Sequence, residues 1–382
     1  MNQRDVKQSP GRTGETERKG PPTIHDVARM AGVSTSTVSR SLTGGPRVSA
    51  ATRARVRRIA EDLSYRPSRS AQSLRSSRTG TIGLLAPTME NPVAYDHLRV
   101  VVRAAFEAGY TVLVADGQDS AEIQEAELAR IRDYRVDGLI VGRGVLQVTP
   151  ALLEFVRSGV PVEPALSEEV LNSNMHGVVV PFSEFVEGSV GAIVGFRRLI
   201  ELGHTRFALF HFAERPARLT ESRYKLLARM LAEAELPVPE SVPIQIGRFA
   251  DCTAEVQRLA ASNLPPTAII SANGRLTPYI LEGMQSAGLR IPADVSLLCF
   301  GDSQWHRAYS PPLAVVREDY EEVARAALER LVARIEGREY REVTARPSEF
   351  VMRGSIGAPP LDRRGTARRS AANELSEETA TP

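Results

Sequence analysis

From Thr23 to Leu42 the chain reads TIHDVARMAGVSTSTVSRSL. The hydroxyls of Thr23, Ser34, Thr37 and Ser39 can hold phosphate oxygens, and they can equally cap helix ends. Arg40 carries a planar fork of donors that suits guanine in the major groove. This chemistry needs one element that presents the side chains together. Ile24, Val27, Ala28 and Ala31 recur at helical spacing after the cap Thr23, and Gly32 supplies the turn that ends that helix. Ser34 caps a second helix with Val38 and Leu42 pointing inward. A third helix, capped by Ser49, buries Val56, Ile59 and Leu63. Two helices about a glycine turn, braced by a third, form a helix-turn-helix unit whose second helix lies in the major groove.

Charge supports that reading. Residues 21–78 hold eleven arginines against Asp26, Glu61 and Asp62, a net +8. The whole chain nets only +2, so a basic head sits on an acidic body, the electrostatic pattern of a nucleic-acid binder. With 382 residues, two or three domains are expected. A hydrophobic content of 42% is ordinary for a globular chain, and no apolar run is long enough to span a bilayer. The first residues lack the apolar stretch of a secretory signal. Cys252 and Cys299 form neither a disulfide framework nor a metal-ligand spacing, so a cytoplasmic protein without metal or cofactor is expected.

Beyond the head, residues 67–79 are basic and serine-rich, a linker able to hold one short helix. Apolar runs then alternate with amphipathic stretches: Thr81–Pro87, Tyr110–Asp116, Gly138–Val141, Gly177–Val180, Phe207–Phe212, Ala268–Ser271, Val295–Phe300 and Leu313–Val316. Short Val/Ile/Leu runs separated by helices such as Leu98–Ala108 and Glu122–Asp133 indicate βαβ units. There are too many for one compact sheet, so the expected fold class is α/β: two doubly wound lobes with a ligand cleft between them, behind an all-α head. Residues 1–21 and 359–382 read as disordered tails.

The string Asp26-Val27-Ala28, Ala31-Gly32-Val33-Ser34, Thr37-Val38-Ser39-Arg40 resembles the opening signature of the LacI/GalR family of transcriptional regulators. Tyr65-Arg66-Pro67, Ser70 to Arg75, Arg78-Thr79 through Leu84, Val136 to Ile140, Leu202-Gly203-His204, Gly288 to Pro292 and Asp294-Val295-Ser296 match as well, so the resemblance runs over about residues 23–356. It implies a repressor whose affinity for a pseudo-palindromic double-stranded DNA operator is set by a small effector, a sugar or sugar derivative. It also implies a homodimer or higher oligomer that is no enzyme and touches no membrane. By position, Thr35, Ser36 and Arg40 match base-reading residues. Residues 68–75 match a hinge helix in which Ala71 and Leu74 meet the minor groove, Leu74 as a wedge that bends the DNA. The implied domains are a head at 22–66, a hinge at 67–79 and a periplasmic-binding-protein-like sensing domain at 80–358. Its first lobe would take 80–181 and 313–339, and its second 182–312 and 340–358.

Within the sensing domain, Arg223 matches a ligand-holding arginine and Asn273 a pocket asparagine. The family's ligand-binding Asp falls on Gly301, with Asp302 next to it as a substitute. The aromatics usual near the first strand are replaced by Val93 and Ala94. These departures argue against a standard neutral sugar, and Arg223 would suit an anion; a decayed pocket is the alternative. Trp305 follows a strand's carboxyl end, where ligands of open α/β sheets bind, and either faces the cleft or packs on Pro311-Pro312. Two other classes compete. Phe300-Gly301-Asp302-Ser303 resembles the nucleophile motif of GDS-type esterases, though it falls late and His306 is the only histidine after it. A solute-binding transport protein would share the lobes but not the basic head.

Overall fold

The computed structural model describes residues 22–66, 78–86, 88–90, 92–118, 120–142, 149–165, 189–213, 218–245, 247–317, 319–340 and 347–360. Ala71 and Leu74 of the hinge, the Gly177–Val180 run and residues 1–21 and 361–382 lie outside them. Contacts divide the chain into two units between Thr79 and Gly80.

The first unit is three helices, α1 (Ile24–Ala31), α2 (Thr35–Thr43) and α3 (Ala50–Asp62). Val27, Ala28, Ala31, Val38, Val56, Ile59 and Ala60 form its core, with Ile24, Leu42 and Leu63 packed against it. Gly32 ends α1 at φ 61°, a left-handed conformation that a Cβ would strain, and so lets α2 start after only three residues.

The second unit runs β1 (Thr81–Ala86), α4 (Pro92–Glu107), β2 (Thr111–Asp116), α5 (Ala121–Asp133), β3 (Gly138–Gly142), α6 (Pro150–Arg157) and β4 (Val162–Ala165). It continues with α7 (Val190–Glu201), β5 (Phe207–Phe212), α8 (Arg218–Glu233), β6 (Glu240–Ile244), α9 (Ala250–Ala260), β7 (Ala268–Ser271), α10 (Thr277–Ser286), β8 (Ser296–Phe300), α11 (Gln304–Ala308) and β9 (Ala314–Arg317). The last elements are α12 (Tyr320–Glu336) and β10 (Glu349–Val351). The strands make two sheets, ordered β2-β1-β3-β4 and β10-β9-β8-β7-β5-β6. All pairings are parallel except β10 against β9. The central strands bear apolar side chains on both faces because helices cover both; Leu297 and Cys299 enter one cluster, Leu298 and Phe300 another.

One boundary differs from the sequence expectation. Leu313–Val316 was expected to open the returning part of the first lobe, yet β9 lies in the second sheet, with Leu298 opposite Ala314. Ala314, Val315 and Val316 are buried there, and a ladder on each side satisfies their backbone. The chain crosses back only beyond Arg317. Helix α12 then seats Ala324, Ala327, Leu328 and Leu331 against Ile82, Leu84 and Ile140 of the first sheet. Gly138 permits this approach, since a Cβ there would stand 2.8 Å from Leu331 Cδ1. No described helix is long and apolar enough to cross a membrane.

Candidate functional site

In the head, helix caps orient the polar side chains. Thr23 N–H donates to Asp26 Oδ2 at 3.0 Å, and Asp26 Oδ1 accepts from Arg29 at 2.7 Å. Ser34 Oγ accepts from Thr37 N–H at 3.2 Å and contacts Ser36 Oγ and Thr37 Oγ1 at 2.8 and 2.9 Å. The first turn of α2 is therefore a network of hydroxyls about a helix N-terminus capped by Ser34, a place suited to phosphate oxygens. Val38 and Ser41 turn inward, while Ser36 and Arg40 are exposed and Thr35, Thr37 and Ser39 half-buried. Arg40 lies back along its helix, donating from Nε to Ser36 O at 3.2 Å. Of the nine sequence-derived DNA contacts, the seven on Thr23 and α2 with its cap thus share one short stretch. The other two, Ala71 and Leu74, lie outside the described residues.

In the second unit a cavity of about 700 Å³ lies between the lobes, at the carboxyl ends of their strands. Thr88, Glu90 and Asp116 line it from the first lobe, and Phe249, Arg275 and Tyr279 from the second. Phe249 and Tyr279 stack with centroids 5.0 Å apart and planes 13° from parallel. Asp116 Oδ1 accepts from the N–H groups of Met89 and Gln118 at 3.2 and 3.0 Å, pinning the loops after β1 and β2.

The four effector residues expected from the sequence lie around this cavity rather than on it. Arg223 stacks 4.0 Å from the Phe300 ring centroid and donates to Ala272 O, beneath the strand ends. Asn273 Oδ1 accepts from Arg275 N–H at 3.0 Å, so it shapes the turn that delivers Arg275. Asp302 is consumed by Arg353, whose two nitrogens meet its two oxygens at 3.0 and 2.7 Å; the carboxylate is 3% exposed. It borders a second interlobe cavity of about 400 Å³ that also has Asp96 and Arg99 on its wall. Trp305, expected to face the cleft or to pack on prolines, stacks on His306 at 3.8 Å and leans on the cluster that holds Cys299. Phe249 and Tyr279 present a flat apolar face to this cavity. Neither stood out in the sequence, because an aromatic on a helix or at its start usually serves the core.

The esterase-like motif has another use. Ser303 Oγ and His306 Nδ1 are 2.8 Å apart, but Nδ1 also accepts Ser303 N–H at 3.1 Å, so the pair caps α11. Both residues are buried, and His306 Nε2 has no partner to orient it. Burial lowers the His306 pKa to about 4. Cys252 and Cys299 are pushed up to about 12, first by burial, and are inert thiols. Among the described residues no group of three or more His, Cys, Asp or Glu is placed to hold a metal ion.

With this geometry in hand, the chain can be set beside known proteins. Residues 23–68 match "Bacterial regulatory proteins, lacI family", and residues 196–356 match "Periplasmic binding protein-like domain". The HTH-type transcriptional repressor PurR of Vibrio parahaemolyticus is 28% identical over 339 residues, covering 87% of this chain and 98% of that protein. The ribose operon repressor of Escherichia coli is 26% identical, covering 82% and 93%. In fold, the chain is similar to a lac repressor dimer crystallised with operator and the anti-inducer ONPF. The TM-score is 0.70 at 24% identity, over 89% of this chain and 100% of that one.

Proposed function

This chain belongs to the lacI family of bacterial regulatory proteins, and from that premise we propose that it represses transcription as a two-fold dimer on a pseudo-palindromic operator, under control of a small effector held in the interlobe cleft. The family's relatives are repressors and not enzymes. Each half-site is read by one α2, with Thr35, Ser36 and Arg40 at base edges and Thr23, Ser34, Thr37 and Ser39 on phosphates. The hinge adds Ala71 and Leu74 in the minor groove, Leu74 opening a flexible base step.

The observation that carries this reading is the α2 turn. An exposed Ser36 and Arg40 stand one helical turn apart, beside a capped N-terminus, on a helix whose opposite side is locked by Val38. The effector is a sugar or a sugar derivative. A stacked aromatic wall beside carboxylates and a guanidinium offers one flat face with hydrogen-bonding groups at its edge. One relative carries the name of a ribose operon repressor, in keeping with a sugar or sugar derivative.

Genome-wide mapping of bound sites supplies the operator, and binding is then measured on a set of single-base operator variants. Arg40→Ala is expected to weaken the best operator by about 1–3 kcal/mol and to relax preference at one base pair per half-site. An unchanged ranking of all variants would remove Arg40 from base reading.

A further inference from the structure

Arg275 stands just before α10 with only 6% of its side chain exposed. Its guanidinium lies 4.8 Å from the Phe249 ring and 5.7 Å from that of Phe212, and its backbone N–H is held by Asn273. A guanidinium so buried stays charged and must meet an anion. One such anion comes from the other lobe: Glu90 Oε2 accepts from Arg275 Nη2 at 2.7 Å across the cavity.

The partners are unequal. The Glu90 side chain is 73% exposed, whereas Arg275 is fixed among aromatic rings. Releasing a solvated carboxylate into water costs little, because an exposed ion pair gains little. Removing the buried partner would undo the stacking as well. Glu90 is thus the exchangeable half of the pair, and it occupies the place of a ligand's charge. The other acid on the cavity wall, Asp116, already accepts two backbone N–H groups, so it opposes an incoming anion less than a bare carboxylate would. A cationic ligand would have to displace Arg275 itself.

We propose that the cleft takes an anionic effector, a carboxylate or phosphate borne on a ring, whose charge takes Arg275 from Glu90 while the ring lies by Phe249 and Tyr279. This rests on the reading of the cleft as the sensing site, and it moves the anion anchor from Arg223 to Arg275. Because Glu90 and Arg275 belong to different lobes, the exchange replaces a direct tie between the lobes with one through the ligand. The ligand's charge is thereby coupled to lobe geometry.

The test uses the full chain and matched probes: glucose, glucuronate and glucose phosphate; inosine and inosine monophosphate; and inorganic phosphate alone. Thermal shift and operator affinity are read on wild type, Arg275→Gln and Glu90→Gln. At least one anionic probe should bind more tightly than its neutral counterpart. Arg275→Gln should weaken that probe by about tenfold or more, and Glu90→Gln should tighten it several-fold. Whether glucuronate or the phosphates respond identifies the anion. Glu90→Gln alters an exposed side chain, so it remains informative if Arg275→Gln does not fold. The proposal is overturned by a neutral probe that binds as well as its anionic partner. It is also overturned by an anion that Glu90→Gln fails to tighten, or by no anion binding either wild type or Glu90→Gln. A neutral probe acting equally on all three proteins would leave the cleft as a sensing site and remove only its charge preference. If no probe changes stability or operator affinity, the sensing reading falls with it.

Discussion

In the helical head, the polar side chains of α2 face water around a core of seven buried residues, and their partners are helix caps one turn away. In the sensing unit, several buried charged groups are already partnered by residues far off in sequence. Arg275 meets Glu90, Asp302 meets Arg353, and Glu163 on β4 meets Arg330 and Arg334 on α12. A surface that awaits a polyanion can leave its donors solvated, because phosphate supplies the missing charge. A charge buried in the sensing unit cannot be left so. Each buried charge there needs a partner within the protein, and one group can serve both stability and recognition.

The largest expected effect tests whether the head's fold is separate from that of the sensing unit. Val38 is fully buried at the centre of the small core. Val38→Asp should cost more than about 4 kcal/mol and unfold the head. Operator binding should vanish while the thermal transition of the sensing unit stays put; a joint loss of both would break the comparison. Next, Asp302→Asn should destabilise the sensing unit by about 3–5 kcal/mol, because it strands Arg353 with 12% of its side chain exposed. Calorimetry decides this. Unchanged stability with a lost ligand response would return Asp302 to the effector site.

A smaller effect separates the units by pH. The folded pKa of His306 is about 4, well below its ordinary 6.5. Between those values the unfolded chain binds the extra proton, so stability is full above pH 6.5 and falls as pH drops toward 4. At pH 5 the loss is about 2 kcal/mol from this group. His204, lowered first by burial, adds to it in the same direction. The sensing unit's melting temperature should therefore drop on acidification, and His306→Asn should flatten most of that slope. An equal slope in the variant would place the proton elsewhere. The smallest effect is Ser34→Ala, which removes the α2 cap and should lower head stability by about 1 kcal/mol, seen in chemical denaturation. A much larger loss would mean that the hydroxyl network carries the fold as well as the function.

What the residues determined by themselves is local. The period of Ile24, Val27, Ala28 and Ala31, the caps Thr23 and Ser34 and the turn at Gly32 specify the head, since each contact closes within a few positions. The apolar runs of β1, β3, β5, β7, β8 and β9 announce strands because helices bury both faces, and β2 (TVLVAD) reads as a strand from its Val and Leu although it lies at an edge. Three strands gave no such signal: β4 (VEPA), β6 (ESVPI) and β10 (EFV) all lie at sheet edges. An edge strand needs one ladder only and tolerates proline and charge, so its sequence looks like a loop. The lining of the cleft was decided by tertiary structure alone. Which lobe receives Leu313–Val316 depends on a pairing with β8, not on its own composition. Arg275 becomes the anchor only because Glu90, 185 positions earlier, and Phe249 arrive beside it. Those partners are set by how two sheets stack their loops, and no spacing along one chain encodes that directly.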